Sequence, residues 1–104
     1  MKLIYRQTYH NSLKNVLEYS VDTFGKRVAA DFKSEIRQKI ERLRTMPNIY
    51  AKCRFIDSTD TMVFRNIIVR SHFIVYSVTA NVVTVIDIIH QSVSIDNMKN
   101  KIEE

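Results

Sequence analysis

The chain has 104 residues, 45% hydrophobic and 26% charged, the composition of an ordinary globular protein of one domain, 1–104. Its single cysteine, Cys53, excludes an internal disulfide or a cysteine metal cluster, and no apolar run reaches the length of a membrane span. The net charge is +5, and residues 1–46 carry all of the excess, with ten Lys/Arg against five Asp/Glu, while residues 47–104 carry six of each.

A basic surface of this kind suits an acidic protein partner or a nucleic-acid assembly. The ordinary alternative is a solvated helix face laced with i,i+4 pairs, such as Asp31 and Glu35 beside Lys33, Arg37 and Lys39. The start, Met1-Lys2-Leu3-Ile4-Tyr5-Arg6, lacks the apolar stretch of a secretory leader. Cys53 reads as a half-buried thiol, and the expected location is a reducing cytoplasm.

Residues 2–7 predict a short strand, with Leu3 and Tyr5 on one side and Ile4 on the other. A helix is expected from Thr8 to Thr23, with an apolar stripe of Tyr9, Leu13, Val16, Leu17, Ser20 and Val21. Phe24-Gly25 breaks it, since glycine is the preferred residue just past a helix end. A second helix is expected from Lys26 to Thr45, on the stripe Val28, Ala29, Phe32, Ile36, Ile40 and Leu43, and Pro47 stops it. So short a connection implies an antiparallel helical hairpin.

The period then changes. Tyr50–Ile56 alternates loosely and predicts a strand, followed by the turn cluster Asp57-Ser58-Thr59-Asp60. Further strands are expected over Met62–Val69, Phe73–Thr79 and Val82–Ile89. The last two form a hairpin about Ala80-Asn81 and are apolar on both faces, as central strands are. The tail, Ser94–Glu104, has Ile95, Met98 and Ile102 at helical spacing and reads as a short helix or a frayed end. The expected fold class is α+β: an N-terminal strand and an antiparallel helical hairpin packed on one face of a mostly antiparallel β-sheet.

Several short motifs follow one another in order. They are Tyr19-Ser20, Phe24-Gly25, Ala29-Ala30-Asp31-Phe32, Phe64-Arg65, Ser71-His72, Tyr76 and His90-Gln91-Ser92. In this order and spacing the chain resembles the RelE/ParE toxin superfamily, and most closely its ParE branch, the toxins of plasmid-stabilisation type. That resemblance implies the toxin of a bacterial type II toxin–antitoxin pair. A cognate antitoxin would neutralise it, and DNA gyrase would be its target, poisoned by binding. The RelE branch instead cleaves mRNA on the ribosome. Two positions where nucleases of that branch commonly carry basic or histidine side chains hold Phe73 and Gln91 here, and neither supplies a charge. Arg70 and Asn48 stand where the family often has glycine. The resemblance implies no cofactor, no membrane and no sequence-specific nucleic-acid contact.

Among single residues, His90 is a candidate proton-transfer group, because histidine titrates near neutrality. Its ordinary alternative is a strand-end ring packed on the sheet. His10, His72 and His90 lack the spacing of metal ligands. Arg65 and Arg70 are candidates for phosphate or an acidic partner, or for salt bridges to Asp57, Asp60 or Asp87. A nuclease reading would use Arg65, Arg70 and His90 as phosphate clamps and proton-transfer group. Tyr76 stacks on a base or, as mid-strand tyrosines do, packs across strands. Alternation groups Asp87 with Val83, Val85 and Ile89. On a face turned away from the helices these would form an apolar docking surface for an antitoxin or for a second copy. The expected partner-binding set is therefore Arg65, Arg70, Tyr76, Val83, Val85, Asp87, Ile89, His90, Gln91 and Ser92. An inactive toxin-fold binding module is the third reading.

Overall fold

The computed structural model describes residues 1–53, 56–59 and 61–93. Its elements are β1 (Lys2–Tyr5), α1 (Gln7–Phe24), α2 (Lys26–Glu41), a 3₁₀ turn (Arg42–Arg44), β2 (Val63–Val69), β3 (His72–Thr79) and β4 (Val82–His90). The sheet order is β1-β4-β3-β2, with β1 parallel to β4 and the other pairs antiparallel. This is the expected α+β arrangement. Among the described residues no helix is long and apolar enough to cross a membrane.

Gly25 makes the helical hairpin. It closes α1 with its N–H on the Val21 carbonyl at 2.9 Å, and its own carbonyl accepts the Ala29 N–H at 3.2 Å. Its φ of 92° and ψ of 168° lie in a region that only glycine occupies freely. The second helix ends four residues earlier than the expected Thr45. The chain tightens into the 3₁₀ turn, where the Thr45 and Met46 N–H groups share the Arg42 carbonyl. The bend follows from Pro47, which keeps Met46 out of a continuing helix.

Ala29, Phe32, Ile36 and Ile40 of α2 are buried, and the stripe of this helix matches expectation except at Val28, which is 38% exposed. With Tyr9 and Leu43, the side chains of Phe32, Ile36 and Ile40 pack on Ile67, Val69, Ile74, Tyr76, Val83, Val85 and Ile88. A second cluster joins Cys53, Ile56, Val75, Ile86 and Ile89. Cys53 is thus buried rather than half-buried.

A β-bulge in β4 separates the two clusters. Val75 lies opposite Asp87 while Tyr76 lies opposite Val85, so Ile86 has no partner across the strand. An extra residue resets the alternation. Val83 and Val85 therefore join the helix-facing cluster, whereas Ile89 joins the second, and the single face expected from strict alternation does not exist.

The strand expected over 50–56 is, among the described residues, one antiparallel bridge of Lys52 to Arg65. Two backbone bonds hold it, Cys53 N–H to the Phe64 carbonyl and Asn66 N–H to the Ala51 carbonyl. Beyond the bridge, the Arg65 guanidinium donates to the Tyr50 carbonyl, at 2.7 Å. The tail from Ser94, expected as a short helix or a frayed end, lies outside the described residues.

Candidate functional site, a cleft at the strand ends

Where the hairpin tip meets the β2–β3 turn, a cleft of about 400 Å³ opens. Arg70, Ser71, His72 and His90 form its polar side. Tyr19, Phe24 and Val28 of the helices form an apolar rim, Tyr19 67% and Phe24 62% exposed.

The turn positions Arg70. Val69 pairs with His72, which leaves Arg70 and Ser71 as a two-residue loop, and Arg70 has φ 54°. Such hairpin turns need a left-handed residue, usually glycine. Here the left-handed residue carries a guanidinium. Its Nε donates to Glu35 Oε2 at 3.1 Å, and its carbon lies 5.0 Å from the Phe32 ring centroid. Lys39 approaches the same carboxylate at 3.9 Å. The partner of Arg70 is thus Glu35, not Asp57 or Asp87.

His72 and His90 lie opposite each other at the ends of β3 and β4, ring centroids 5.0 Å apart and planes nearly perpendicular. His72 also leans on Phe32, at 5.4 Å. Its Nδ1 is buried and has no hydrogen-bond partner among the described residues. Burial, and secondarily His90, holds its imidazole below the ordinary value. His90 is exposed, and its Nδ1 accepts the Ser92 N–H at 3.0 Å with the Ser92 hydroxyl 2.7 Å away. Accepting that bond makes the Nε2-protonated tautomer the neutral form. Gln91 ties the strand end to the turn, its N–H on the Ser71 carbonyl at 2.8 Å and its side chain on the Arg70 carbonyl at 3.3 Å. Among the described residues no three His, Cys, Asp or Glu side chains gather as metal ligands.

The remaining expected site residues lie elsewhere. Arg65 is five positions from Arg70, roughly 16 Å along the strand. It pairs across the sheet with Tyr76, and together they hold the 47–53 segment: Arg65 on the Tyr50 carbonyl, and the Tyr76 hydroxyl on the Pro47 carbonyl at 2.9 Å. Tyr76 is fully buried, which pushes its phenol well above the ordinary range. Val83 and Val85 are fully buried beneath the helices. Ile89 and Asp87 are buried too, and Asp87 Oδ1 accepts the Ile88 N–H at 2.8 Å. Phe73 pairs with Ile89 and packs on the second cluster.

The cleft thus assembles Arg70, His72 and His90, with Gln91 and Ser92 bonded at its edge, and leaves out Arg65 and Tyr76. Sequence reading missed its apolar rim. Tyr19 and Phe24 lie off the core stripe of α1, and large aromatics off the stripe were the available signal.

Comparison with known proteins agrees with this architecture. The family model described as the ParE toxin of the type II toxin–antitoxin system parDE matches residues 3–94. Among solved structures, the chromosomal ParDE TA system from P. aeruginosa superposes with a TM-score of 0.69 at 14% identity, covering 86% of this chain and 95% of that one. No curated relative matches the chain at the level of sequence. With the helical hairpin, the β1-β4-β3-β2 sheet and a family match over nearly its whole length, the chain belongs to the ParE toxins of type II toxin–antitoxin systems, the branch of the RelE/ParE superfamily that its strand-end motifs resemble.

Proposed function

We propose that this toxin works in the cytoplasm by binding, that its target is DNA gyrase, and that a cognate antitoxin neutralises it. The observation that carries the binding reading is the make-up of the cleft. Tyr19, Phe24 and Val28 offer apolar surface, and Arg70 offers a cation. Arg70 is held by Glu35, and His90 Nδ1 by Ser92. Exposed aromatics beside a fixed arginine are the composition of a protein-docking hot spot. Acid–base chemistry needs a histidine oriented toward its substrate by a partner. Among the described residues no carboxylate bonds either imidazole.

Cleavage of mRNA is supported less well. Its three candidate groups would have to converge, and Arg65 is committed to the Tyr50 carbonyl at the far end of β2. The antitoxin follows from family membership, since the related solved structure is itself of a ParDE system. The test is gyrase supercoiling of relaxed plasmid by purified enzyme. Loss of supercoiling with accumulated cleaved DNA is the expected result. Unimpaired supercoiling in the presence of folded toxin would overturn the gyrase reading. Placing negative charge on the apolar rim, Tyr19→Glu with Phe24→Glu, should abolish the effect while leaving the helical spectrum intact.

A further inference from the structure

At the β1 end of the seam between the helices, sharing no residue with the cleft, β1 and the two helices enclose a depression of about 330 Å³. Three rings cluster there. Tyr5 lies 5.5 Å from Tyr9 and 5.7 Å from His10, and Tyr9 lies 5.7 Å from His10, all between centroids. Lys33 and Arg37, one helical turn apart on α2, line the same depression. The groove continues along the helix seam past Lys14. Among the described residues Lys14, Lys33 and Arg37 make no ion pair and no side-chain hydrogen bond, unlike Lys39, Arg44 and Arg70. Glu18 and Asp22 line the seam nearer Gly25, which restricts the cationic stretch to the Tyr5 end.

Unpaired cations at one-turn spacing beside the exposed His10 ring and the half-buried Tyr5 ring match one ligand chemistry, a phosphate chain carrying flat bases. The cations take the phosphates without reading sequence, and His10 with Tyr5, backed by the buried Tyr9, offers a base a stacking surface. An acidic peptide would satisfy Lys33 and Arg37 but has no use for the accessible His10 and Tyr5 rings. We infer that the Tyr5–His10–Lys33–Arg37 face of the helical hairpin is a sequence-independent binding site for single-stranded nucleic acid. The site uses none of the cleft residues, and its fate is separate from that of the gyrase reading.

The test is fluorescence anisotropy of labelled oligothymidylate titrated with the full chain at several salt concentrations. The wild type should bind at low salt. The double variant Lys33→Ala/Arg37→Ala should bind about tenfold or more weakly, with the slope of log affinity against log salt reduced by about 0.7 for each phosphate that the protein no longer neutralises. His10→Ala should weaken binding without changing the slope, because it removes a stacking surface and no permanent charge. All three side chains are exposed, and circular dichroism verifies that each variant is folded. Absence of binding by the wild type would overturn the inference, as would an unchanged affinity in the double variant. Displacement of the oligonucleotide by polyglutamate at a lower concentration than by unlabelled oligothymidylate would also overturn it, and would assign the face to an acidic protein.

Discussion

The imidazoles of His72 and His90 meet edge to face, 5.0 Å apart, where β3 and β4 end beside the cleft. His72 is the inner ring, its Nδ1 sealed from water, and its folded-state pKa lies below 6.5 for that reason first and because of His90 second. A histidine with a lowered folded pKa binds fewer protons folded than unfolded as pH falls through the unfolded value. Stability is therefore full above 6.5 and decreases below it, until the folded pKa is also passed. The expected result is a lower urea midpoint at pH 5.5 than at pH 7.5, both on the scale set by that 6.5. His72→Phe keeps the ring packing against Phe32 and should flatten that part of the profile. A profile as steep in the variant as in the wild type would show that another group titrates there.

Arg70 combines a backbone cost with side-chain gains. A non-glycine residue at φ 54° is strained by roughly 1–2 kcal/mol. Against this stand an ion pair whose partners are 41% and 35% exposed and a guanidinium over Phe32. Screening limits such a pair to about 0–1 kcal/mol, and an exposed cation–π interaction to about 0.5–1. Arg70→Gly should thus change stability by no more than about 1 kcal/mol, whereas Arg70→Ala removes both interactions, keeps the strain and should cost about 1 kcal/mol more. Equal midpoints for the two variants in chemical denaturation would contradict this division.

How far these features could be read in advance depends on whether the signal is local. The buried face of α2 was legible because Ala29, Phe32, Ile36 and Ile40 recur every three or four residues, and the hairpin because Gly25 separates two such patterns. The bulge was not, since Ile86 sits in an unbroken apolar run with no glycine or proline to mark an extra residue. One unannounced residue set Val83 and Val85 on a different face from Ile89, with which strict alternation groups them. The bond from Arg65 to the Tyr50 carbonyl spans fifteen residues and has no period at all. His72 and His90 could be named as strand-end residues, but their pairing came only with the β3–β4 register.

Gly25 offers a clean test of backbone strain. A methyl group placed on it would meet nothing within 4 Å, so Gly25→Ala adds no clash. Its φ of 92° and ψ of 168° are nevertheless costly for alanine, by about 1–3 kcal/mol. The expected outcome is a lower urea midpoint with unchanged helix content. A stability equal to wild type would mean that the hairpin turn shifts to a different conformation at little cost.

Tyr76 should behave as a structural residue. Its hydroxyl anchors Pro47 from a fully buried ring, and Tyr76→Phe leaves that carbonyl without its donor, at a cost of about 1 kcal/mol. Gyrase inhibition measured well below the unfolding temperature should be unaffected. Inhibition abolished in a variant that is still folded would return Tyr76 to the partner-binding surface.

Alkaline conditions probe Tyr9. Burial raises its phenol from 10.0 to about 12, with the neighbouring Tyr5 adding to the shift and Arg37 opposing it. Above pH 10 the unfolded chain releases a proton that the folded chain retains, so stability declines as pH rises and levels off near 12. Tyr9→Phe preserves the buried ring and removes the titrating group, and should make the decline shallower between those limits. A residual slope is expected, because burial raises Tyr5 and Tyr76 in the same direction. An unchanged slope would show that the Tyr9 hydroxyl reaches water at the edge of the aromatic cluster.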